Sequence, residues 1–211
     1  VPYDMLGAVF TVALLGTYTA NPIQAAIDYY RNVAGYQLTL KSVGGDKSEI
    51  IHYYFKKPGY VRMEFVAPFK GAVLVYNPDT ARAKLWPFGY KRFPSLTLSP
   101  DSKMIQSPTG QRVDRSDVGV LYQNVRTLQE HGKTEVTGIE TVDGHEALHV
   151  AVAGEGGFAV GAVVRYQLWL DRTSGFPLMV TSYDAGGRVI ETVEMGDLKI
   201  SPEFSDDFFN Q

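Results

Sequence analysis

The sequence predicts an α+β chain dominated by one strongly curved antiparallel sheet, an incomplete β-barrel of about ten or eleven strands with helices covering the concave face. Three observations lead there. Apolar residues recur at every second position through most of the chain after Gly35. The 3.6-residue period of an amphipathic helix occurs in only two places. Gly, Pro, Asn and Asp punctuate the sequence at hairpin spacing. A sheet of that size must curl or close, and a curled sheet has a concave side that something apolar has to fill.

Residues 1–20 stand apart from a single domain expected over 21–211. Met5 to Leu15 reads MLGAVFTVALL without a charge. That run is short for a bilayer crossing and lacks the basic stretch of an intact signal peptide. It fits an export-signal remnant, a helix or strand packed on the domain, or a membrane-surface anchor, and it is also a candidate to fill the concavity as an acyl chain would. Asn21-Pro22 is a helix start, because the Asn side chain accepts an orphan N–H and proline at the first position loses no bond. Ile23, Ala26, Ile27 and Tyr30 form the apolar stripe of a helix ending near Gly35.

Tyr36 to Val43 pairs with Glu49 to Lys57 across Gly44-Gly45-Asp46-Lys47. Pro58-Gly59 turns the chain into YVRMEF, where Val61, Met63 and Phe65 share one face and Tyr60, Arg62 and Glu64 the other. Pro68 to Gly71 leads into Ala72 to Tyr76, and Asn77-Pro78-Asp79 into Ala83 to Phe88. Pro94 to Arg115 reads as a long functional loop. Ser116 offers a cap for a second helix with Val118, Leu121, Val125 and Leu128 on one stripe and Gly132 as its stop. Strands resume at Glu135 to Val142, His145 to Ala153, Val163 to Asp171, Pro177 to Tyr183 and Arg188 to Lys199.

The net charge is −3 and the basic residues are scattered, so nucleic acid is not an expected partner. Cysteine is absent, which removes disulfides, thiolate metal sites and Cys nucleophiles. His145-Glu146-Ala147-Leu148-His149 matches the zinc-protease pattern H-E-x-x-H. That chemistry needs a helix, which puts both histidines one turn apart. Here the segment follows Asp143-Gly144 and runs into Val150-Ala151-Val152, which favours a strand. In a strand the two histidines stand about 13 Å apart, too far to share one ion. A zinc hydrolase, with Glu191 or Glu194 as third ligand, is the weakest of the readings. No G-x-S-x-G elbow, phosphate loop or dinucleotide fingerprint occurs. Neither a catalytic residue, a metal nor a cofactor is expected. Asp114 and Asp117 read as helix-start carboxylates.

The run YYFKKPGYVRMEFVAPFKGAVLVYNPDTARAKLWPF (Tyr53 to Phe88) resembles the LolA/LolB-like lipoprotein-sorting superfamily, as does YQLWLDRTSGFPLMVTSYDAGGRVIETVEMGDLKISPEFSDDFF (Tyr166 to Phe209). The resemblance covers roughly Pro22 to Phe209. It implies a bent, unclosed barrel with a helical lid, and a non-catalytic periplasmic carrier whose cavity takes acyl chains of lipoproteins or another lipid or apolar ligand. Lys57 holds the place where those carriers have an arginine. Inner- or outer-membrane proteins are further expected partners, and membrane association is compatible with export. The apolar residues expected to line the cavity are Val61, Met63, Phe65, Val73, Val75, Tyr166, Leu168 and Leu170. An alternative within the same fold is a protein-interaction or stress-sensing module of the envelope, using Tyr90, Phe93 and the long loop.

Overall fold

A computed structural model of the chain describes residues 21–211, and the expectations for residues 1–20 lie outside the described residues. Helix α1 (Pro22–Arg31) precedes β1 (Gly35–Gly44), β2 (Lys47–Lys56), β3 (Tyr60–Ala67), β4 (Val73–Asn77), β5 (Arg82–Trp86) and β6 (Leu96–Leu98). Helix α2 (Val118–Glu130) leads into β7 (Gly132–Val142), β8 (His145–Gly154), β9 (Arg165–Asp171), β10 (Pro177–Tyr183) and β11 (Val189–Ile200). All eleven strands belong to one antiparallel sheet in the order β6-β5-β4-β3-β2-β1-β11-β10-β9-β8-β7. The sheet is thus two meanders joined where β1 pairs with β11, open at β6 and β7 rather than closed.

The elements form for local reasons. Asn21 caps α1 by accepting from the Gln24 N–H at 3.1 Å, and Pro22 occupies the first turn. The helix ends at Arg31 rather than near Gly35, because Gly35 already begins β1, where a Cβ would stand 2.6 Å from the Phe55 carbonyl oxygen. Asp117, not Ser116, caps α2: its carboxylate accepts from the Gly119 N–H at 2.7 Å, while the Ser116 hydroxyl donates to the Val113 carbonyl. The β1–β2 hairpin closes on Gly45-Asp46 alone, with Gly45 at φ 61°, a tighter turn than the four-residue one expected.

The stretch expected as loop from Pro94 to Arg115 contains edge strand β6 and two 3-10 turns, Lys103–Ile105 and Val113–Arg115. Three residues are too few to show a strand period. No helix among the described residues is long and apolar enough to cross a membrane.

Both helices pack on one face of the sheet. Ile23, Ala26 and Tyr30 of α1 and Val118, Tyr122, Val125 and Leu128 of α2 are buried in one cluster with Tyr36, Tyr53, Val61 and Leu168. The other face of the first meander is covered by the C-terminal segment, where Phe209 is buried with Val73, Val75 and Trp86. Close approach of α1 depends on Gly175 in the β9–β10 turn, which has φ +67° and where a Cβ would lie 2.9 Å from the Ala26 Cα. Gly175→Ala combines left-handed strain with that clash and is expected to cost about 2–3 kcal/mol, read as a lower denaturant midpoint.

Candidate functional site

The helix-covered face is built from cross-strand rows. In the first meander Tyr36, Phe55, Val61, Tyr76 and Ala83 stand opposite one another in turn, and Leu38, Tyr53, Met63, Leu74 and Leu85 form the next row. In the second, Val150, Leu168 and Val180 are aligned, with Val152 beside Tyr166 and Leu148 beside Leu170. Six of the residues proposed from sequence therefore belong to one apolar cluster: Val61, Met63, Phe65, Tyr166, Leu168 and Leu170.

Val73 and Val75 do not. They pair with Glu64 and Arg62 and point to the opposite face, under the C-terminal segment. Val73 to Tyr76 is buried on both sides, so AVLVY shows no alternation from which to choose a face, and Leu74 and Tyr76 take the positions expected of the valines. Lys57 also lies off the face. Its Nζ donates to the Tyr30 and Arg31 carbonyls at 2.9 Å each, satisfying the C-terminal end of α1, and desolvation lowers its pKa.

Four tyrosines tie the helices down. The Tyr36 hydroxyl accepts from the Val118 N–H at 3.0 Å, and the Tyr53 hydroxyl lies 2.9 Å from Ser116 Oγ. Tyr30 donates to Asp117 at 3.1 Å, and Tyr122 to the Gly175 carbonyl at 2.7 Å. Burial raises the pKa of all four phenols well above its ordinary value, which keeps them neutral donors and acceptors. Sequence periodicity marks Tyr36 and Tyr53 as inward-facing, but their hydroxyl partners, Val118 at the start of α2 and Ser116 just before it, have no sequence signal.

A polar group stands on the same face near the β1–β2 turn. Ser42 donates to Glu191, Thr109 donates to Glu191 at 3.3 Å, and Ser42 is the cross-strand partner of Glu49. Burial, then the nearby Glu191 charge, pushes the Glu49 carboxyl up to about 7. Its register with Ile51, Tyr53 and Phe55 is the signal that could have identified Glu49 from sequence.

The H-E-x-x-H segment is strand, as its context indicates: it opens β8. His149 stacks on Trp169 at 4.2 Å, and its Nδ1 lies 2.7 Å from Glu140, while His145 is exposed. Among the described residues no three His, Asp or Glu side chains gather as metal ligands. Tyr90 is half-buried rather than exposed, donating to the Asn210 carbonyl at 2.9 Å with the Arg62 guanidinium over its ring. Two open clefts lie off the helix-covered face, one beside Lys70 and Tyr90 and one beside Lys57 and Phe204.

Residues 96–211 match the family described as the MucB/RseB N-terminal domain. No curated protein matches the sequence. Among solved structures, an uncharacterized conserved protein from Thermus thermophilus superimposes with a TM-score of 0.56 at 11% identity, over 90% of this chain and 94% of that one. Mycobacterium tuberculosis lipoprotein LppX gives 0.54 at 8%, over 87% and 95%. A chain of the Pseudomonas aeruginosa MucA/MucB complex gives 0.52 at 16%, over 88% of this chain but only 60% of that one. At these identities the likeness is one of fold, and the LolA-like superfamily recognised in the sequence is borne out at that level.

Glu49 yields a pH test. Its folded pKa of about 7 exceeds the ordinary 4.5, so the folded state holds more protons across that interval and stability falls as pH rises through it. Glu49→Gln is expected to stabilise the fold by about 1–2 kcal/mol at pH 8 and to bring no gain at pH 4, measured by denaturant unfolding at both values.

Proposed function

The chain belongs to the MucB/RseB N-terminal domain family, and from that premise we propose that residues 21–211 act as one non-catalytic periplasmic domain that binds an acyl chain on the helix-covered face. That face is the concave side of the sheet, and α1 and α2 are its lid. The observation that carries the reading is the continuity of the apolar rows: Val61 and Met63 from one meander and Leu168 and Leu170 from the other share a single cluster beneath both helices. The clefts beside Lys57 and Lys70 lie elsewhere, so the ligand enters by displacing the lid. The same side chains serve as core when empty and as site when loaded. Lipoproteins and free lipids both present the required chemistry.

Hydroxyl contacts from the tyrosines oppose that displacement, and each net hydrogen bond is worth about 1 kcal/mol. The test is native mass spectrometry of delipidated protein incubated with a diacylated lipopeptide. A one-to-one adduct is expected, with Tyr36→Phe/Tyr53→Phe raising the loaded fraction about tenfold at limiting ligand. Failure to load acyl chains of any length overturns the carrier reading.

Membership of this family favours one second reading, since a solved relative is a complex of MucA with MucB. On that reading the domain recognises a protein of the envelope. Removing the segment from Pro94 to Ser107 then abolishes partner capture and leaves lipid loading intact.

A further inference from the structure

At one end of the sheet the chain exposes aromatic rings beside unpaired cations. Register fixes which turns meet there. Glu64 pairs with Val73, Val73 with Trp86 and Leu85 with Leu96, so the β3–β4 turn and the β5–β6 loop leave the sheet from the same end. Phe93 in that loop is 94% exposed, and Phe69 and Phe88 are each 66% exposed. Side chains of this size are ordinarily buried, and several together on one rim mark a contact surface.

The two segments, residues 65–72 and 87–95, carry Lys70, Lys91 and Arg92 and not a single carboxylate, in a chain whose net charge is −3. None of the three cations is held in an ion pair among the described residues. Turns at the opposite end, at residues 57–59, 78–81, 143–144 and 172–176, expose no large apolar side chain.

We infer that this rim docks on an anionic lipid surface, with Phe69, Phe88 and Phe93 at the boundary between headgroups and acyl chains and Lys70, Lys91 and Arg92 on the phosphates. Rings alone would suit an apolar protein surface, and cations alone an acidic one. The combination, on two segments with no carboxylate of their own and with Glu64 and Asp207 as the acidic neighbours of Lys70 and Lys91, matches the charge and the depth profile of a bilayer interface. The assignment stands without the carrier reading, since it uses no residue of the helix-covered face.

Sedimentation of the 211-residue chain with vesicles of phosphatidylethanolamine and phosphatidylglycerol tests it. Acyl extraction leaves protein in the supernatant, so the pellet reports docking alone. The parent is expected to pellet with these vesicles, to do so far less with phosphatidylcholine alone, and to be released by salt. Phe69→Ser/Phe88→Ser/Phe93→Ser and Lys70→Glu/Lys91→Glu/Arg92→Glu should each lower the bound fraction about tenfold with near-ultraviolet circular dichroism unchanged. A parent that ignores the anionic vesicles, or either triple variant pelleting like the parent, overturns the assignment. The first of these outcomes would make the rim a protein-docking surface.

Discussion

Strand β1 lies between β2 and β11, with Tyr36 to Val43 paired to both neighbours. This ladder alone joins a meander drawn from the first half of the chain to one drawn from the second. Without it there would be two smaller sheets, each with a half-covered apolar face. With it, rows that begin at Ala83 on one side and end at Val150 on the other share one cluster and one pair of covering helices. The pairing closes a loop of most of the chain, so its entropic cost is offset only when the whole face is buried.

The joined face explains the position of α2. The chain leaves the sheet at β6, one edge, and re-enters at β7, the other. Helix α2 and the segment before it therefore cross the face that has to be covered. The tyrosine hydroxyls give this crossing a defined seat: Val118, the first residue of the helix, meets Tyr36, and Ser116, just before the helix cap, meets Tyr53. Dispersion and area burial hold the helix against the sheet, while directional bonds fix where along the sheet it sits.

Charge follows the same division. Inside, Glu49 lies close enough to Glu191, in surroundings dry enough, to favour its neutral form. Outside, Glu140 has its pKa lowered by hydrogen bonds from Trp169 and His149, and the histidine that resembles a zinc ligand is occupied in a strand-to-strand contact. One backbone geometry, a strand with residues alternating between faces, accounts for both.

Much of this is legible in the sequence. The two-residue period, the Asn21 cap, the turns at Pro58-Gly59 and Asp143-Gly144 and the strand nature of His145 to His149 are set by neighbours within a few residues, where local sterics and hydrogen bonding act. Six of the eight proposed apolar site residues follow from the same alternation. The side taken by Val73 and Val75 does not, because the C-terminal phenylalanines cover the outer face of β4 and make both of its faces apolar. Nor do the partners of Tyr36 and Tyr53, or the use of Lys57 as the end-cap of α1. The local sequence thus determined which segments are strands, the three-residue edge strand β6 excepted, and mostly which way their side chains alternate. Tertiary structure decided which strands became neighbours and what each face met, because contacts between residues far apart in the chain leave no periodic mark on either partner.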